Sequence, residues 1–214
     1  MLAPACPLAL GSLLLLLVGC SSAYYSVMES FGIEKREILA DHVEEGRDDQ
    51  EAAKEQFQSA LERFKALTSF DGGDLEREYE ELNDEFSAAE ARAADVRNRI
   101  GAIEDVAAAL FEEWEDEIAQ IGSTDLAGKS RALLEDTQAR YTDLITAMKA
   151  AEASMDPVLD AFRDQVLFLK HNLNAQAIAS LQSDVIEIED DVEALVAEME
   201  RSIAEADSFL QTLG

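Results

Sequence analysis

Acid-rich helical sequence with two histidines first raises the chemistry of a di-iron or di-manganese carboxylate centre. Such a centre needs a Glu-x-x-His pair on each of two facing helices, plus two further glutamates. The chain's histidines are His42 and His171, and the residues three places before them are Leu39 and Phe168. Neither pair exists, so no metal site is expected. Asp71-Gly72-Gly73-Asp74 raises calcium, but a calcium loop needs several oxygens at defined positions and a terminal bidentate glutamate. This turn is too short, and a glycine helix stop followed by an aspartate cap accounts for all of it. Glu112-Glu113-Trp114-Glu115-Asp116-Glu117 gathers carboxylates, which do acid–base work only in a cleft that splits their pKa values. Around a seam tryptophan on a long helix they read as a solvated face. No phosphate-cradling glycine loop, nucleophile elbow or Ser/His/Asp arrangement is visible. The expectation is a protein without catalytic residues or cofactors, and not an enzyme.

The elements that would position any site begin with a leader. An apolar run from Leu8 to Val18 is too short to span a bilayer permanently and fits a signal h-region. It ends in Leu17-Val18-Gly19-Cys20, the pattern of a bacterial lipoprotein processing site. No Lys or Arg precedes the run, which departs from the usual basic start of a signal peptide. The expected organisation is a signal peptide over 1–19, a lipidated N-terminus and tether over 20–33 with Cys20 as the lipid attachment, and one helical domain over 34–214. Ser21 in place of an aspartate points, by analogy with lipoprotein sorting, to the outer membrane on its periplasmic side. Cys6 and Cys20 are the only cysteines, so nothing after position 20 can make a disulfide, thiolate metal site or catalytic thiol.

Composition sets further bounds. There are 46 acidic against 17 basic residues in 214, a formal net charge of −29. That surface repels nucleic acid, so no nucleic-acid partner is expected. Charge of this size also accompanies disorder, but 48% of residues are hydrophobic and they are periodic, so folding is expected.

The period is helical throughout. Leu39, Val43, Ala53, Phe57, Ala60, Phe64 and Leu67 form a first heptad stripe, weakened by Gly46 and Gln50 at seam positions. Leu75, Tyr79, Leu82, Phe86, Ala89, Ala93, Val96, Ile100, Ile103, Ala107, Leu110 and Trp114 alternate steps of four and three without a miss, which argues for coiled-coil-like packing. A third stripe runs from Leu133 through Thr137, Tyr141, Leu144 and Met148 to Leu169, keeping phase across Pro157, where a kink is expected. The last runs from Ile178 to Leu213. Its phase slips by about two residues after Leu169, and His171-Asn172-Leu173-Asn174 fills the gap, so a tight hairpin is expected there. The fold class is thus all-α: an elongated antiparallel bundle of four long helices, of about 40, 48, 47 and 38 residues. The alternative is three helices with a very long last one of about 130 Å, whose stripe would overhang the rest.

In the four-helix arrangement the turns at 71–74 and 171–174 share the end far from Cys20. The stretch from Gln165 through Gln182 carries no acidic residue but includes Lys170 and His171, the one long stretch free of negative charge after the leader and tether. The candidate partner-facing tip is therefore Asp71, Gly72, Gly73, Asp74, Lys170, His171, Asn172 and Asn174. One reading is that this segment only packs and caps the turn; the other is that it meets an envelope protein or cell-wall component. The expected function is a spacer, adaptor or interaction scaffold held at a membrane by its N-terminal lipid. Self-assembly into a homo-oligomer through the seam is an alternative, and a ligand carrier or enzyme with a site between helices is a third.

Several longer motifs carry a resemblance. Glu34-Lys35-Arg36, Phe70-Asp71-Gly72-Gly73-Asp74-Leu75, Leu110-Phe111-Glu112-Glu113-Trp114-Glu115, Asp156-Pro157-Val158-Leu159 and Phe168-Leu169-Lys170-His171-Asn172-Leu173-Asn174-Ala175-Gln176-Ala177-Ile178 resemble a bacterial lipoprotein family catalogued as domain of unknown function 2959. The resemblance spans nearly the whole mature chain. It implies a helical envelope lipoprotein and brings no activity, substrate or cofactor.

Overall fold

The computed structural model describes residues 34–69 and 72–213; Cys20, the leader, the tether, Phe70 and Asp71 lie outside the described residues. Among the described residues five helices follow one another: α1 (Lys35–Thr68), α2 (Leu75–Gln120), α3 (Thr124–His171), α4 (Ala175–Ser180) and α5 (Gln182–Leu213). The four long helices form a ring in chain order, α1 against α2, α2 against α3, α3 against α5, and α5 back against α1. This is the up-down-up-down bundle expected from short connections.

The heptad stripes explain the ring, because each helix turns its apolar face inward and leaves its charged faces to water. Leu39, Val43, Phe57 and Phe64 of α1, Leu82, Val96 and Ile103 of α2, Leu144, Met155 and Phe162 of α3, and Val192, Leu195, Met199 and Phe209 of α5 are buried. Phe64 and Phe162 meet edge-on across the bundle at 6.3 Å. Tyr141 joins Phe111 at 5.4 Å to Phe209 at 6.3 Å, both tilted, the geometry that aromatic quadrupoles prefer.

In so acidic a chain the basic side chains staple neighbouring helices. Lys35 reaches Glu113 at 3.0 Å, Arg163 reaches Glu90 at 2.9 Å, and Lys65 reaches Glu189 at 2.5 Å. Arg99 of α2 spans the gap to α1, pairing with Asp49 at 3.1 Å and with Glu45, and lying 3.1 Å from His42 Nδ1.

Three details refine the sequence reading. Gly46 and Gln50, which interrupt the first stripe, are both buried within it. The helix α3 runs unbroken through Pro157. The fourth long helix is preceded by a separate short one: α4 packs against α1 and buries Ala177 and Ile178, and the chain bends at Leu181 before α5 begins.

Candidate functional site

The two turns of the expected tip lie at one end of the bundle, where α4 lies against α1. The first is built by backbone conformation and a cap. Gly72 and Gly73 have φ of 149° and 132°, a region that side chains with a Cβ avoid. Asp74 then accepts a hydrogen bond from the Arg77 amide at 3.2 Å and starts α2.

The second turn consumes both of its asparagines. Asn172 Nδ2 donates to the Phe168 carbonyl at 2.9 Å, closing α3. Asn174 Oδ1 accepts from the amides of Gln176 and Ala177, each at 3.1 Å, opening α4. Their polar atoms therefore build the turn. Lys170 and His171 are exposed beside them, and Lys170 has no ion pair among the described residues. The sequence reading missed the apolar part of this end: Leu167 and Phe168 are 53% and 40% exposed, and Ile186 is 65% exposed. The signal was present, since all three fall off the seam positions.

The other end holds a cleft of about 520 Å³ whose walls include Glu34, Leu110, Trp114, Leu133 and Leu213. Trp114, expected in the seam, is only half-buried there and donates from Nε1 to Ser130 Oγ at 2.9 Å. Leu133, also expected in the seam, is 62% exposed, and Leu134 is buried in its place. Among the described residues no group of three or more His, Cys, Asp or Glu side chains could hold a metal ion. No helix among them is long and apolar enough to cross a membrane.

A ring of four long antiparallel helices around a continuous apolar seam defines a helical-bundle protein. The particular family follows from the sequence: the chain belongs to the family described as a protein of unknown function, DUF2959, whose model matches residues 24–213. No curated protein matches it.

Proposed function

We propose that this protein is a non-enzymatic spacer or adaptor of the bacterial cell envelope, lipid-anchored at Cys20 and presenting the tip formed by residues 72–74 and 167–186 to an envelope protein or cell-wall component. The observation that carries the reading is the polarity of the molecule. The chain enters α1 at one end, and Cys20 precedes that entry in the sequence, while the acid-free segment with Lys170, His171, Leu167 and Phe168 folds at the other end. A long helix pair separates them, and a filled apolar seam occupies the interior. Long stiff bundles suit the holding of two points apart better than the enclosure of a ligand. Outer-membrane anchoring belongs to the same proposal and rests on Ser21 after the cysteine.

Photo-crosslinking in living cells from Gly72 and Asn172 positions tests the tip, and fatty-acid labelling tests the anchor. The expected result is one reproducible adduct that disappears in Lys170→Glu/His171→Glu, together with labelling that disappears in Cys20→Ser. Adducts unaffected by the tip substitutions, or labelling that survives Cys20→Ser, would overturn the respective half.

A further inference from the structure

The ring closes at one seam that no turn specifies. Residues 69–74 join α1 to α2, 121–123 join α2 to α3, and 172–181 lead from α3 to α5, but α1 and α5 are neighbours without being consecutive. Their alignment rests on what their faces carry. Along the edge it is marked by Arg47 with Asp207 at 3.2 Å, Lys54 with Glu200 at 4.0 Å and Lys65 with Glu189 at 2.5 Å. Partly exposed pairs of this kind select weakly. A shift of one heptad would simply hand Arg47 to Glu200 and Lys54 to Glu193.

The interior marks the alignment more sharply. Among the described residues three polar side chains are buried: Gln50, Thr68 and Ser202. Thr68 lies at the end of α1, where its hydroxyl donates to the Lys65 carbonyl at 2.9 Å. Gln50 and Ser202 are both 0% exposed, and their side-chain polar atoms have no partner among the described residues. One belongs to α1 and the other to α5; the buried faces of α2 and α3 carry no such group. The Arg47–Asp207 and Lys54–Glu200 pairs set Gln50 and Ser202 within about 3 Å of one level along the axis. The inward residues around that level include Gly46, Ala53 and Ala206, all small.

We propose that Gln50 and Ser202 form a pairing key, a polar layer that admits α5 onto α1 in one alignment and opposes slipped or intermolecular ones. A shift of one heptad either way would level Gln50 with Phe209 or Leu195, and Ser202 with Phe57 or Val43, all buried and apolar. Two polar layers would then replace one, each desolvated against large hydrocarbon side chains. The α2 and α3 faces of a second copy offer α1 no polar layer at all. A polar group at a single seam position fixes register and helix number in coiled coils in the same way, at some loss of stability. The two marked helices are the neighbouring pair that lacks a connecting turn.

Chemical bridging reads the alignment. In the full chain in detergent micelles, carrying Cys6→Ser/Cys20→Ser, three cysteine pairs are introduced one at a time. Arg47→Cys/Asp207→Cys reports the native alignment, while Arg47→Cys/Glu200→Cys and Lys54→Cys/Asp207→Cys report shifts of one heptad in either direction. With Gln50 and Ser202 in place, a short bismaleimide is expected to close the first pair within one chain, at least about tenfold over the other two. Gln50→Met/Ser202→Ala keeps the side chains close in size and removes the key. There the offset bridges, or bridges between two chains, are expected to rise about tenfold with helical circular dichroism unchanged. Retention of the native bridging pattern in that variant overturns the proposal, because the edge charges then suffice. Loss of its helical dichroism overturns it too, because the layer is then a requirement for folding and not a choice between alignments.

Discussion

Met148 of α3 fills the space that Gly46 of α1 leaves in the seam. A Cβ on Gly46 would stand 2.9 Å from Met148 Cε, 3.0 Å from Ile103 Cδ1 and 3.2 Å from Arg99 Cγ. Helices at opposite corners of the ring are thereby brought into contact through one missing side chain. Gly46→Leu is expected to destabilise the fold by about 1–3 kcal/mol through overpacking, and Met148→Ala by about 2–5 kcal/mol through the cavity it leaves. Combined, the two are expected to cost clearly less than their sum, which a double-mutant cycle in urea measures.

Gln50 is fully buried, and neither of its amide atoms has a partner among the described residues. Leaving such a group unpaired opposes folding by about 1–3 kcal/mol. Gln50→Leu keeps the seam position filled and is expected to raise stability by about 1–2 kcal/mol, or Tm by about 2–8 °C. Calorimetry of parent and variant at one pH decides it, and a fall in Tm would show that the amide is satisfied in solution.

Burial, with a smaller contribution from Glu104, pushes the Tyr141 phenol up from 10.0 to about 12. The neutral phenol is thus favoured in the folded state. Its contribution is complete below pH 10.0 and disappears as the pH rises through about 12. Melting curves across that window are expected to fall more steeply for the parent than for Tyr141→Phe. Parallel curves would count against the shift.

The turn residues at the tip divide into builders and bystanders. Asn174 caps α4 through two amide bonds, so Asn174→Ala is expected to cost about 1–2 kcal/mol. Lys170→Ala and His171→Ala touch no such bond and are expected to stay within about 0.5 kcal/mol of the parent. Chemical denaturation separates the two groups. It also tells whether a tip variant that fails in cells has lost its fold or its surface.

The ring of helices was legible in the sequence because a heptad repeat encodes both the period and the inward face, and the Asn172–Asn174 hairpin because asparagines that cap helices also break phase. What the stripe did not give was the exact inward residue near a helix start. Leu133 and Leu144 both lie on the expected stripe, yet the first is exposed and the second buried, and it is Leu134 that turns inward at the start of α3. The bend at Leu181 was hidden for a similar reason: Ile178, Leu181 and Ile188 are all buried on the inner face, so periodicity alone cannot show an interruption between them. Gly46 looked like a weakness of the stripe because a single helix gives no sign that Met148 is waiting across the core.

The closing of the ring has a consequence for how the chain comes into being. The α1–α2 and α2–α3 contacts join consecutive helices, but α1 and α5 bring together residues far apart in the chain, such as Lys65 with Glu189 and Arg36 with the Leu213 carbonyl, 124 and 177 residues apart. Synthesis proceeds from the N-terminus, so α1 waits for α5 before its open flank is covered. During that interval Phe57 and Phe64 stand at the edge of an incomplete barrel of helices. A carrier that shields nascent apolar surface has its window there, and it closes only when the final turn of α5 is in place.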